Sequence, residues 1–173
     1  ISFMKKLNLT LVKNILFIFF TIFSCHSNEI LIGKAIVVDG DTIKIKNKNI
    51  RFHGIDAPES YFNGKTQICY QFEDNKKVFC GKDSKALLSS KIYGKTIKCI
   101  GKKIKDRYNR ILAECYINSK SLSSFMVKSG YAFDYKKYSN GKFNTEQEYA
   151  KKNKLGMWNM KFDYPWIWRK NNK

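Results

Sequence analysis

From residue 30 onward, apolar and polar positions alternate in short runs that break at turn residues. Residues 32–38 are β-branched and apolar, and they end at the turn dipeptide Asp39-Gly40. A second run over 41–46 carries Thr42, Ile43 and Ile45, so the pair predicts a hairpin. Asn47-Lys48-Asn49 turns the chain again. In the third predicted strand, 50–55, Arg51 and His53 alternate with Ile50 and Phe52, which sends the two sets to opposite faces. A polar loop is predicted from Asp56 to about Phe79. Residues 82–93 then place Ala86, Leu87, Ile92 and Tyr93 on one helical stripe. Two further strands are predicted at 95–101 and 110–117. Helices follow over 122–129, stopped by Gly130, and over 144–154, opened by Asn144 or Thr145 and stopped by Gly156. Five strands, with helices inserted after the third and the fifth, predict an α+β fold: a five-stranded barrel of the OB type with three helices. A mixed α+β sandwich is the other topology this order allows.

The N-terminal stretch breaks the pattern. Lys5, Lys6 and Lys13 flank an apolar run of nine residues, 15–23. A membrane-spanning helix needs about 20 residues, so the run reads as a secretory signal. Residues 1–25 are therefore assigned to a signal peptide and 26–173 to one domain. The segment closes with Ile22-Phe23-Ser24-Cys25, which resembles a bacterial lipoprotein box with Cys25 as the lipidated residue. Ordinary cleavage within 24–27 and an uncleaved anchor are the alternatives. Either kind of cleavage predicts an exported protein: periplasmic, secreted or lipid-anchored at a bacterial membrane.

Composition narrows the partners. A chain of 173 residues with 43% hydrophobic content builds one core, which excludes a disordered tail. Lys and Arg total 33 against 14 Asp and Glu, a net charge of +19. Such a surface attracts polyanions, meaning nucleic acid or an anionic membrane, and repels cationic partners. Only Arg51, Arg107, Arg110 and Arg169 are arginine; the remaining 29 are lysine. Beyond Cys25 the cysteines are Cys69, Cys80, Cys99 and Cys115, without any CxxC spacing, so a zinc site is poorly supported. An even number in an exported domain favours disulfides over free thiols. Three pairings are possible. Cys99 and Cys115 lie in runs that face each other if they pair as antiparallel strands, which favours Cys99–Cys115 with Cys69–Cys80.

Three segments concentrate ionisable residues beside turns: Asp39-Gly40-Asp41-Thr42, Arg51 through Asp56-Ala57-Pro58-Glu59, and Asp106-Arg107-Tyr108-Asn109-Arg110. Each alone reads as a charged surface turn. Together they supply what phosphodiester hydrolysis requires: oxygen ligands for a divalent cation, a carboxylate beside a water, and guanidinium donors. Clustered carboxylates are costly unless a cation neutralises them. In this order and spacing the three segments resemble the staphylococcal nuclease (thermonuclease) family, over about residues 31–169. Gly81, Val127 to Ala132, Glu148-Tyr149-Ala150 and Gly156-Met157-Trp158 add to the match. Pro165-Trp166-x-Trp168-Arg169 resembles the tail of its exported bacterial members.

The resemblance implies an OB barrel and calcium-dependent cleavage of DNA and RNA without sequence preference, by a monomer. It implies that Asp41 and Asp56 hold Ca2+ through their carboxylates, and Ala57 through its backbone carbonyl. Glu59 orients or deprotonates the attacking water, Arg51 and Arg110 bind phosphate, and Asp39 stands just behind the metal. Asn109 takes a place where Gly is common, and asparagine tolerates the left-handed conformation such a turn needs. Tyr135 and Tyr138 fall where the family places base-contacting tyrosines. By this reading Arg169 is structural, His26 and His53 are incidental, and Trp158, Trp166 and Trp168 belong to a C-terminal core. The alternative is a non-catalytic OB module that binds nucleic acid or an anionic surface. An intact set of Asp41, Asp56, Glu59, Arg51 and Arg110 argues against it, since a binding module has no need of carboxylates facing a polyanion.

Overall fold

The computed structural model describes residues 28–173, apart from the side chains of 102–104. The assigned signal peptide, Cys25 and His26 lie outside the described residues. Among those described, no helix is long and apolar enough to cross a membrane.

The main sheet is built from β1 (Glu29–Gly33), β2 (Ile36–Asp39), β3 (Thr42–Ile45) and β4 (Lys48–Phe52). Beyond β5 (Ile55–Asp56), β6 (Cys69–Gln71) and β7 (Lys77–Val78) comes helix α1 (Cys80–Ile92). The long strands β8 (Ile97–Lys105) and β9 (Ile111–Ile117) complete the sheet, in the order β1-β8-β9-β4-β3-β2. The two ends of that path, β1 and β2, are consecutive pieces of one stretch of chain. The run read as a single strand, 32–38, therefore breaks after Gly33 and serves both edges, which curls the sheet into the expected OB-like barrel. Strand β4 pairs β9 in parallel and the other main pairings are antiparallel.

Burial follows the sequence alternation. In β9, Ile111, Ala113, Cys115 and Ile117 point inward, and in β4, Ile50 and Phe52 do so while Arg51 faces the other way. Each fully buried Ile or Leu contributes about 1.5–3 kcal/mol through removal of apolar surface from water. The β3–β4 turn sits at Lys46 and Asn47, both with positive φ (47° and 63°), as a two-residue hairpin of the primed type demands.

The C-terminal half adds β10 (Lys120–Ser121), α2 (Leu122–Lys128), β11 (Phe133–Asp134), α3 (Lys136–Ser139) and α4 (Asn144–Lys152). A 3-10 turn (Gly156–Asn159), β12 (Met160–Lys161) and α5 (Pro165–Asn171) end the chain. The three predicted helices are α1, α2 and α4; α3 and α5 are additional. Helix α1 starts two residues earlier than predicted. Helix α4 begins after Phe143, without the side-chain cap expected from Asn144 or Thr145. In α2, Ser121 does cap, accepting the Ser124 N–H at 3.2 Å.

The predicted 56–79 loop is ordered rather than open. Its first residue, Asp56, belongs to β5, which pairs β11, and it contains β6, which is sandwiched between β7 and β12. Both expected disulfides are present: Cys99 and Cys115 stand opposite each other across β8 and β9, and Cys69–Cys80 ties β6 to the start of α1. A second core forms beside this loop. Phe133 sits at its centre, ringed by Trp158, Phe162, Tyr164 and Trp166 at centroid distances of 5.0–6.4 Å. Trp158 and Trp166 thus join the C-terminal core as expected, whereas Trp168 packs edge-on against Phe62 of the loop at 6.1 Å.

Candidate active site

Asp41 is the second residue of the Gly40-Asp41 turn between β2 and β3 and is almost fully buried. Its carboxylate accepts the Ala57 N–H at 2.7 Å and the Thr42 hydroxyl at 3.0 Å, and it is ion-paired with Arg51. The turn is tight because Gly40 has no side chain: a Cβ there would stand 2.0 Å from the Ser84 Oγ and 2.9 Å from the Ala57 Cβ. Arg51 lies opposite Thr42 in the β3–β4 register. Its Nη2 donates to the Ile55 carbonyl at 3.1 Å and to Asp56 Oδ1 at 2.6 Å. Burial lowers the proton affinity of this guanidinium, and the Asp56 charge opposes the effect. Asp56 has no solvent exposure and is held in β5.

Glu59 begins the ordered loop. Its backbone N–H donates to Gln67 Oε1 at 3.2 Å, and Gln67 Nε2 in turn donates to the Asp163 carbonyl at 2.7 Å. Gly81 lies directly against it, since a Cβ on Gly81 would fall 1.8 Å from the Glu59 carbonyl oxygen. Burial pushes the Glu59 carboxyl up, and the nearby Asp39 charge adds to this, while Arg169 pulls the other way. Asp39 accepts the N–H groups of Gly40 (2.8 Å) and Ser60 (3.1 Å), and burial pushes its carboxyl up as well.

Arg110 immediately precedes β9, at the end of the 106–110 turn, where Asn109 takes φ of 62°, the left-handed conformation expected of it. Asp106 accepts from Arg110 Nε at 2.8 Å and from its backbone N–H at 3.0 Å. Burial alone would raise the Asp106 carboxyl, but these hydrogen bonds and the Arg110 charge hold it below the usual carboxylate range. Arg110 Nη1 also reaches the Thr42 hydroxyl at 3.4 Å, so Thr42 links the Asp41 and Arg110 groups.

Arg169, read from the sequence as structural, enters from α5 and is brought into the site. Its Nη1 donates to Glu59 Oε1 at 2.5 Å and to Asp56 Oδ1 at 3.1 Å, and its Nη2 donates to Asp56 Oδ2 at 2.7 Å. Those carboxylates hold its proton affinity above the ordinary guanidinium value, against the opposing effect of burial. The sequence did contain a signal: Arg169 is one of four arginines in a chain that otherwise uses lysine.

These groups surround one cleft of about 820 Å3, lined by Asp41, Arg51, Glu59, Arg110 and Arg169 and also by Tyr135 and Tyr138. Tyr135 is stacked on Trp166 (4.9 Å, interplanar angle 1°) and meets Tyr138 edge-on at 5.0 Å, so one face of Tyr135 is already used. Tyr138 is half exposed. Tyr61 and Tyr108, which the sequence reading passed over, also stand exposed at this cleft. His53 lines it too.

Comparison with known proteins decides the family. The model of the staphylococcal nuclease homologue family matches residues 49–160. The chain belongs to this family. It is 31% identical to an uncharacterized endonuclease of Haemophilus influenzae, over 86% of this chain and 77% of that protein. It is 30% identical to a succinoglycan biosynthesis protein, ExoI, of Rhizobium meliloti, over 75% of this chain and 65% of that protein. It is 33% identical to the endonuclease YhcR of Bacillus subtilis, over 71% of this chain but only 11% of that much longer protein. Two of these three relatives are named as endonucleases.

The family implies a calcium ion. Among the described residues no three His, Cys, Asp or Glu side chains stand together as a ready cage for a metal. Arg51 bridges Asp41 to Asp56, and Arg169 bridges Asp56 to Glu59. The donor set nonetheless suits a hard, geometrically tolerant cation. Four carboxylates, those of Asp39, Asp41, Asp56 and Glu59, are gathered here against the two guanidiniums that bridge them. Burial is what chiefly raises the carboxyls of Asp39 and Glu59, and at Glu59 the charges of Asp39 and Asp56 add to it.

Proposed function

We propose that the protein is an exported, calcium-dependent endonuclease that hydrolyses phosphodiester bonds of DNA and RNA without reading sequence, and that it acts as a monomer. The observation that carries this reading is the convergence of Asp41, Glu59, Arg51 and Arg110 on one cleft of a strongly cationic chain, with Asp56 buried behind it and bonded to Arg51. The carboxylates of Asp41 and Asp56, with the Ala57 carbonyl, are the groups that would hold calcium. When bound, calcium neutralises phosphate charge and polarises the phosphorus toward attack.

The chain's own residues do the rest. Lysines capture the phosphate backbone, a contact that weakens steeply with salt. Arg51 and Arg110 present planar forks to the non-bridging oxygens, where charge grows in the transition state. Glu59, partly buried and raised in proton affinity, is a stronger base than a free carboxylate. It takes a proton from the attacking water as the new P–O bond forms and the bond to the leaving oxygen breaks; solvent protonates the leaving oxygen. Tyr61, Tyr108 and Tyr138 offer rings on which unpaired bases stack, independent of sequence.

Residues 1–25 act as the export signal, with Cys25 as the site of membrane attachment if it is lipidated. The two disulfides support an oxidising destination. The test is incubation of the purified protein with DNA and with RNA, in calcium and in chelator. Cleavage of both polymers only with calcium is expected. Cleavage unaffected by chelator removes the metal mechanism, and binding without cleavage leaves a non-catalytic module.

A further inference from the structure

Arg169, carried by the short helix α5, sits on the buried carboxylates of the cleft. Asp56 is wholly buried, and both of its carboxylate oxygens are engaged by guanidinium: Oδ1 by Arg51 and Arg169, Oδ2 by Arg169. The same Arg169 Nη1 holds Glu59. These are two of the carboxylates to which the proposed function gives the cation and the water. A fork seated across Asp56 and a divalent cation on the same oxygens compete, because both draw on the same lone pairs and the two positive charges repel.

The backbone that carries Arg169 is well anchored. Trp166 is stacked between Tyr135 and Tyr164, at 4.9 and 4.7 Å, and Trp168 packs on Phe62. Asn172 Nδ2 donates to the Trp168 carbonyl at 2.9 Å, and Asn172 accepts from Lys65 Nζ at 3.2 Å. The side chain is less confined, with a quarter of it exposed toward the cleft. Its flexible stem lets the guanidinium leave the carboxylates while α5 stays in place.

We propose that Arg169 is a resident cation of this site: it neutralises Asp56 and Glu59 while no divalent cation is bound, and it competes with that cation for them. Arg169 is thus a positioning residue whose release accompanies metal loading. It holds the buried carboxylates in register in the cation-free protein and sets a threshold of cation concentration below which the site stays closed by its own ion pairs. The inference rests on the calcium reading above and goes beyond it.

Calorimetric titration of the full chain with Ca2+ tests this, comparing wild type with Arg169→Gln and Arg169→Lys. Removing the charge in Arg169→Gln is expected to tighten Ca2+ binding by about tenfold or more. Thermal denaturation in chelator should show the opposite sign, a lower Tm for Arg169→Gln, so that added Ca2+ raises its Tm more than that of wild type. Arg169→Lys keeps the charge without the fork and should fall between the two, which makes it the check if the glutamine variant folds poorly. Ca2+ binding to wild type with equal or weaker binding to both variants overturns this inference alone. No Ca2+ binding to wild type or to either variant overturns the calcium reading and this inference with it.

Discussion

Arg169 grips Asp56 with both prongs of its guanidinium, Nη1 to Oδ1 at 3.1 Å and Nη2 to Oδ2 at 2.7 Å, across 113 positions of sequence. The pair joins the last helix to the short strand β5 and brings the chain's end to its most buried acid. It also explains how Asp56 is tolerated with no solvent exposure: a buried carboxylate stripped of its partners would cost about 3–5 kcal/mol. The ordered 56–79 loop is held in the same way at several points, and its tethers give distinct predictions.

Gly81→Ala places a methyl group where the Glu59 carbonyl already stands. Helix α1 cannot yield easily, because Cys80 is tied to Cys69 and is itself buried. The loop start must move, at about 1–3 kcal/mol of stability. Chemical denaturation should show that loss. A kcat drop with smaller change in Ca2+ affinity should accompany it, since Glu59 shifts more than Asp41.

Serine replacement of both Cys69 and Cys80 should lower stability by about 2–4 kcal/mol. It should also reduce activity, because this bridge lies beside the Glu59 loop. Replacement of Cys99 and Cys115, which join two strands already paired in the sheet, should lower stability with less effect on kcat. Peptide mapping without reductant on natively purified protein should recover both pairs. Four free thiols would contradict the oxidised assignment.

Asp39 gives a pH signature. Its carboxyl is raised in the folded state, chiefly by burial, so the folded protein binds a proton more tightly than the unfolded chain. The ionised group therefore works against folding above its folded value, and this penalty fades as pH falls toward the ordinary carboxylate range. Asp39→Asn removes the charge and keeps an oxygen for the Gly40 and Ser60 N–H groups. In chelator the variant should be more thermostable than wild type at neutral pH, with the difference shrinking as pH approaches 4, near the ordinary value for aspartate. A difference independent of pH would contradict the assignment.

The strands were legible because alternation and burial coincide: Ile50, Phe52, Ile111 and Ala113 read as inward and are buried. The Asp39-Gly40 turn, Arg51 and Arg110 were legible for the same reason, as polar positions at the ends of apolar runs. Helix α3 has no buried residue and a single turn, so no stripe announced it. Helix α5 did carry a start signal, Pro165 at its first position, which went unused. The role of Arg169 follows from a contact across the whole domain, and no local pattern encodes it. The hairpin within 56–79 was hidden because its strands have only two and three residues.

The central claim is that this cleft performs phosphodiester hydrolysis with Arg110 and Glu59 acting on the reacting groups. It is tested most directly by kcat for DNA cleavage at saturating calcium in Glu59→Gln and Arg110→Lys, with substrate binding measured alongside. A fall of about 10²-fold or more is expected in each, by analogy with loss of one preorganised transition-state donor, while binding changes far less because lysines still hold the backbone. Near-wild-type kcat in both variants would contradict the account.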